Sequence, residues 1–446
     1  MQQMKRILLL LTASLLVGLT GCSKSSTVEI RYAAWNLGTV EQNGLERQMI
    51  AEFMKENPKI KIVIDENFVT DYNQAMSASA ENNILPDVFM YSNISTTDEN
   101  NWSLDISDIV EYDSDWSNIP EIIKASTYVK GKIVAIPSGI YFYGYFCNND
   151  VLKASGLADA TSGITLDSFI RDVKEATAIE EGRIGLGDSS YICDWYPAAT
   201  NDNYGWFTWD GGKFNLHSQE FRDGIRLTQE LDQGKYTYAL LNDSEKELLG
   251  GGSDWEGWNA GSIAFKFDGT WAQNDYSKLS YDISFIGMPG GRTCVVPDYL
   301  FLSKTTEHPE EAYQFAKFMS TYSEEGFSKR LELAKAQDLL VTTIPMVNNI
   351  DLIEQYFDLI KMKGIKEVYD NFYCNAYIET AKVLPGYAMA RWNYETNITI
   401  GLTKNAKIGD VIAAACKGQV NIDDIAEQIN YLANTSIQIY PQQLNN

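Results

Sequence analysis

The chain has 446 residues, too many for one ordinary core, and this length predicts two or three lobes. Apolar residues make up 45% and charged residues 22%, a globular balance that excludes wholesale disorder. Lys and Arg total 36 against 60 Asp and Glu, and the net charge of −24 repels phosphate backbones and anionic lipid, which argues against nucleic-acid binding.

Positions 1–20 read as an export signal. Lys5 and Arg6 supply the positive end, and the apolar run over 7–19 is too short to span a bilayer but suits a signal core. Leu19-Thr20-Gly21-Cys22 resembles the lipobox of bacterial lipoproteins. That resemblance implies a signal peptide over 1–21, a lipid-bearing Cys22 as the mature N-terminus, and a polar tether over 22–27. No other apolar run approaches the length of a membrane span, so the expected location is outside the cytoplasmic membrane, as a tethered soluble body on its outer face. The remaining cysteines, Cys147, Cys193, Cys294, Cys374 and Cys416, are odd in number and scattered. They read as buried thiols, with a single pair left open.

Strand character over 28–32 is followed by a helix carrying Leu45, Met49 and Phe53 on one face and ending at Asn57-Pro58. Ile60, Ile62 and Ile64 then alternate as a strand does, and this strand–helix–strand unit predicts a parallel sheet. A helix over 71–82 and a short buried strand over 86–91 come next. The acidic, Ser- and Asn-rich stretch over 92–115 reads as loops and helical turns, with Asp113-Ser114-Asp115 as a solvated turn. Strands are expected over 132–137 and 141–146, an amphipathic helix over 165–179, and a loop with a hairpin over 201–214. Helices follow over 218–231 and 245–249, the latter interrupted by Gly250-Gly251-Gly252, which reads as a flexible loop. Strands come over 263–267 and 283–286. Pro309 opens a helix with Ala312, Phe315, Ala316 and Met319 on one face. One late helix carries Val411, Ile412 and Ala415 and stops at Gly418; the last starts after Asn421.

Several chemistries lack their residues. His217 and His308 are the only histidines, and no CxxC spacing, GxxxxGK[ST] loop, GxGxxG turn or GxSxG elbow occurs. The Asp113 segment fails as a calcium loop, with Asn118 at the sixth position and Lys124 at the twelfth. No metal or cofactor is expected. Paired carboxylates able to cleave a glycosidic bond stay open, because sequence does not measure their separation.

Six of the ten tryptophans lie between positions 195 and 271: Trp195, Trp206, Trp209, Trp255, Trp258 and Trp271. Many fall in Gly-, Asn- or Asp-rich stretches. A pyranose ring has an apolar C–H face that indole covers, and an equatorial belt of hydroxyls that Asp, Asn and Arg bind. For any single tryptophan, a place in the core remains the equal alternative. Trp102 and Trp116 read as packing.

Motifs in collinear order carry a resemblance over nearly the whole chain after the signal. They include Phe53-Met54-Lys55-Glu56-Asn57-Pro58, Pro86-Asp87-Val88, Gly131-Lys132-Ile133 through Pro137, and Tyr145-Phe146-Cys147-Asn148-Asn149-Asp150. Later come Gly261-Ser262-Ile263-Ala264-Phe265, Asp268-Gly269-Thr270-Trp271 and Met288-Pro289. Together they resemble the extracellular solute-binding proteins of carbohydrate ABC transporters, the maltose-binding type, with Cys147 where a tyrosine is usual. The resemblance implies a two-lobe α/β fold of the periplasmic-binding-protein kind (class II type), with three crossovers near 137–139, 288–291 and 340–345. It implies an N-terminal lobe over 28–138 and 290–342 and a C-terminal lobe over 139–289 and 343–446, closing by a hinge on a ligand in the cleft.

The implied function is capture of a neutral oligosaccharide, without catalysis or cofactor, by a monomer that delivers it to the permease subunits of an import system. The expected ligand residues are Trp271 first, then Asp268, Trp35 and Asn36 in the first-strand loop, Tyr91 and Asn93 at a strand end, and Tyr141 and Tyr143. Asp194 and Trp195, Asp298 and Tyr299, and Arg391 and Trp392 complete the set. Two alternatives stand beside this reading: a secreted carbohydrate-active enzyme such as a glycoside hydrolase, and a lipoprotein that binds another solute or senses sugar.

Overall fold

In the computed structural model, residues 27–68 and 71–443 are described. The export signal and Cys22 lie outside them. One mixed sheet organises the molecule. β1 (Val28–Ala33) pairs in parallel with β2 (Ile60–Ile64) on one side and with β3 (Val88–Tyr91) on the other. A hairpin of β4 (Tyr128–Val129) and β5 (Lys132–Ile133) stands apart from it. The sheet continues through β6 (Ile136–Asn148), β7 (Ile184–Leu186), β8 (Ile263–Gly269), β9 (Ile283–Phe285), β10 (Thr293–Leu302) and β11 (Ala376–Ile378). Its order is β2-β1-β3-β10-β6-β8-β7, with β11 paired to β10 and β9 to β6.

The helix Leu45–Glu56 between β1 and β2 buries Met49, Ile50 and Phe53, the face its 3.6-residue period sets. Phe53 and Tyr32 both meet Phe315 edge-on, at centroid distances of 5.2 and 4.9 Å. Phe315 comes from the helix Pro309–Met319, which begins on its proline and buries Ala312, Phe315, Ala316 and Met319. Each such buried phenylalanine contributes about 1.5–3 kcal/mol. Asp71 caps the helix Tyr72–Glu81, accepting from the backbone N–H of Gln74 at 3.1 Å. A second core gathers Tyr145, Phe169, Trp195 and Phe265 under the other end of the sheet. The helices Gln219–Gln233, Ile408–Cys416 and Ile422–Gln443 belong to this end.

β6 and β10 are the long strands and run antiparallel between the two ends. Leu302 to Tyr299 of β10 pair with β3, while Val295 to Thr293 pair with β11. β6 leaves β10 at Tyr143 and continues against β8 and β9. Beside them, Ile140 bridges Ile344, which brings a third passage of the chain alongside.

Several expectations need correction. The strands expected over 132–137 and 141–146 are instead the short β5 and one continuous β6 through Pro137 and Gly139. The ladder to β10 shifts register between Asp298 and Tyr299, opposite Gly139 and Pro137, and such an irregularity accommodates a proline. The 201–214 stretch contains no hairpin. It holds a short 3₁₀ turn, Trp206–Thr208, in which Phe207 and Thr208 have φ of 55° and 62°. Asn215 holds this left-handed pair by donating its N–H to Thr208 Oγ1 at 2.8 Å and its side-chain amide to the Thr208 carbonyl at 3.3 Å. Asp113 is not solvated: its carboxylate is buried, accepts from Tyr313 Oη at 2.6 Å and pairs with Lys317. The five described cysteines are free, and Cys147, Cys193 and Cys294 are buried, but Cys374 is exposed and Cys416 half-buried.

Candidate functional site

A cavity of about 490 Å³ lies where the two ends of the sheet meet. Trp35 and Asn93 enter it just beyond β1 and β3, at the C-terminal edge of parallel strands. The Tyr72 hydroxyl donates to the Met90 carbonyl at 2.7 Å and lies 3.1 Å from that of Ala33, tying these strand ends together. Trp35 then packs edge-on against the Tyr72 ring at 5.4 Å. Tyr141 and Tyr143 point into the cavity from β6, one pleat apart, while Phe142 between them is fully buried on the opposite face.

Trp271 follows β8 and leans edge-on against both tyrosines, at 5.6 and 5.2 Å. Trp206, set by the strained turn, stacks on Tyr143 at 5.4 Å and 19°. Trp35 and Trp271 are 42% and 40% exposed, so two indoles keep surface free at one cavity. This is the geometry that covers the apolar face of a ring-shaped ligand.

The polar lining is acidic. Lys382 Nζ donates to Asp298 Oδ1 at 3.0 Å. Glu379 follows β11; its N–H donates to the Val295 carbonyl at 2.9 Å, which fixes its backbone. Among the described residues the Glu379 carboxylate accepts no hydrogen bond within 3.5 Å and has no cation within 4.0 Å. Burial pushes this carboxyl up to about 7; the Lys382 charge opposes that, and the charges of Asp194 and Asp298 add to it. Burial likewise raises the Tyr141 and Tyr143 phenols far above their ordinary value. Asn93 spends its side-chain oxygen on the Thr96 N–H at 2.9 Å, capping the helix Ile94–Glu99. Among the described residues no group of three or more His, Cys, Asp or Glu is placed to hold a metal ion. Among them, too, no helix is long and apolar enough to cross a membrane.

The structure therefore brings Trp35, Asn93, Tyr141, Tyr143, Trp271 and Asp298 together. The other expected ligand residues stand elsewhere. Asn36 lines a small crevice with Tyr32 and Arg330. Asp268 lies near the end of β8, and its carboxylate accepts from Tyr276 Oη at 2.6 Å and from the Gly269 N–H at 2.7 Å. Tyr91 is buried and meets Trp102 edge-on at 5.7 Å, beside a separate Asn-rich cavity. Trp195 and Tyr299 are fully buried; the indole N–H donates to Tyr145 Oη at 3.1 Å, and the Tyr299 hydroxyl to Ser126 Oγ at 2.9 Å.

Asp194 and Arg391 form a buried bidentate pair at 2.7 and 3.1 Å. The Arg391 guanidinium lies 3.7 Å from the centroid of the Trp392 ring, outside the cavity. Glu379, Lys382 and Trp206 were not anticipated. The first two arrive through pairing of β11 with β10, residues some 80 positions apart, and carry no local motif.

Residues 48–349 match the family described as bacterial extracellular solute-binding protein. A Pyrococcus horikoshii protein described as an ABC transporter extracellular-binding protein is 40% identical over 65 residues, 14% of this chain, and that match spans only 15% of the relative's length. Among solved structures, an ABC substrate-binding protein from Listeria monocytogenes in complex with cycloalternan superposes with a TM-score of 0.70 at 17% identity, covering 92% of this chain and 99% of that one. The cyclic α-maltosyl-1,6-maltose binding protein of Arthrobacter globiformis gives 0.66 at 14%, covering 92% and 99%. The sugar-binding protein MalE of Xanthomonas citri gives 0.67 at 10%, covering 94% and 100%. These likenesses establish the two-lobe, periplasmic-binding-protein-like α/β fold.

Proposed function

The chain belongs to the bacterial extracellular solute-binding proteins, and from that premise we propose that its solute is a neutral carbohydrate, held without being altered in the Trp35–Trp271 cavity. One observation carries the reading. Two partly free indoles and two tyrosines bound a single space that also contains carboxylates, the pairing of surfaces a pyranose requires. Structural neighbours whose ligands are cycloalternan and cyclic α-maltosyl-1,6-maltose support an oligosaccharide over a single ring.

In this reading, residues 28–138 and 290–342 form one lobe and 139–289 and 343–446 the other. The chain crosses between them near 137–139, 288–291 and 340–345. A ligand that touches Trp35 on one side and Trp271 on the other favours the closed state by its contacts with both. The closed monomer presents its cargo to the permease subunits of an ABC importer. Cys22, carrying lipid, holds it at the outer face of the cytoplasmic membrane, and two or more acyl chains make that anchorage stable.

The test is calorimetric titration with monosaccharides, linear malto- and xylo-oligosaccharides, cycloalternan and cyclic α-maltosyl-1,6-maltose, with chromatography of the sugar afterwards. One-to-one binding with the sugar recovered intact is expected. Bond cleavage at turnover would replace capture with a glycoside-hydrolase reading, and binding of none of the sugars would remove the carbohydrate reading.

A further inference from the structure

Building on the carbohydrate reading, we propose that Glu379 is the specificity-determining acceptor of the cavity: its carboxylate receives a hydroxyl of the bound sugar, and binding therefore releases a proton. The geometry singles this group out. Two acidic side chains line the cavity, Asp298 and Glu379. Asp298 already accepts from Lys382 at 3.0 Å. Behind them Asp194 is engaged twice by Arg391. Glu379 alone among these three carboxylates has neither a donor nor an ion-pair partner among the described residues. The half-buried Glu379 carboxylate is open to the cavity, and a group that displaces water from it there must donate.

The direction of the proton follows from what surrounds the carboxyl. In the ligand-free cavity, burial first, and then the charges of Asp194 and Asp298 against that of Lys382, hold Glu379 half-protonated near neutral pH, at about 7. Much of the desolvation is thus in place before the ligand arrives, so a sugar adds mainly a charge-assisted hydrogen bond, which favours the ionised form. The phenols and the thiol that face it stay neutral at this pH. Tyr143 on β6, Tyr299 and Cys294 on β10, Tyr191 before the helix Ile192–Thr200, and Tyr387 are all displaced upward, chiefly by burial. Asp194 is raised by burial against the opposing charge of Arg391 and stays within that ion pair.

The test titrates the tightest-binding sugar of the panel above into the wild type and Glu379→Gln between about pH 6 and about pH 8, in two buffers of different ionisation enthalpy. The wild type should bind up to about tenfold tighter at the upper pH and release about half a proton near pH 7. Glu379→Gln should fold and melt no lower than the wild type, bind with little pH dependence and release none. Wild-type affinity flat within about twofold, a gain in affinity toward low pH, or the same slope in Glu379→Gln would overturn the inference while leaving carbohydrate binding intact. Binding of no sugar at any pH would overturn the carbohydrate reading and this inference with it.

Discussion

Trp271→Ala is the perturbation that the cavity geometry makes most specific. The indole is 40% exposed and rests on Gly269, where an added Cβ would come within 2.3 Å of the ring. A tryptophan side chain offers up to about 250 Å², so roughly 100 Å² is available to a ligand. At about 25 cal/mol per Å² the loss is about 2.5 kcal/mol, close to a 70-fold weakening of sugar binding. Folding should weaken as well, because the buried part of the ring leaves Gly269 and the edge contacts with Tyr141 and Tyr143, each worth about 0.5–1.5 kcal/mol, disappear. Calorimetry gives the affinity, and a thermal melt gives the stability. Trp255→Ala is the control: this ring is 48% exposed but lies outside the cavity, and its removal should leave affinity unchanged. Unchanged affinity in Trp271→Ala, or an equal loss in Trp255→Ala, would refute the stacking argument.

Gly269→Ala should displace the Trp271 ring without removing it and weaken sugar binding by about tenfold; an affinity equal to wild type would mean that the ring's seat is unimportant. Arg391→Met strands the buried Asp194 carboxylate and should lower stability by about 3–5 kcal/mol in a denaturant melt, where a loss below about 1 kcal/mol would contradict the pairing. Glu379 binds its proton more tightly in the folded chain than in the unfolded one, where its value is near 4.5. Its contribution to stability is therefore fully present below about pH 4.5 and is lost as pH rises through about 7. Glu379→Gln should accordingly exceed the wild type in stability at about pH 8, by up to about 3 kcal/mol, and match it near pH 5; the reverse order in a thermal melt would contradict the burial of this carboxyl.

The elements that sequence made legible are those with local periodicity and caps. The 3.6-residue face of Met49 and Phe53, the alternation of Ile60 and Ile62, and the proline opening of the helix at Pro309 each appear where expected. Four elements escaped the sequence reading, two of them interrupted by proline. β10 carries Pro297 in its middle and the helix Ile192–Thr200 carries Pro197, whereas the helices Glu324–Ala336 and Ile350–Leu359 are capped by Ser323 and Asn349, a local signal that went unread. The aromatic enrichment was visible, but which rings keep free surface was not. Trp195 and Trp271 look alike in sequence, yet one lies beneath Phe169 and Tyr145 and the other at the cavity rim. Glu379 and Lys382 carry no pattern at all, because their place depends on β11 finding β10 across the chain.

The most direct measurement is a crystal structure of the protein grown with its tightest-binding sugar. The account predicts an intact sugar between Trp35 and Trp271, with ring faces against indole and a hydroxyl on Glu379. A sugar seated elsewhere, for example in the Asn-rich cavity beside Trp102, or a cleaved sugar in the cavity, would contradict it.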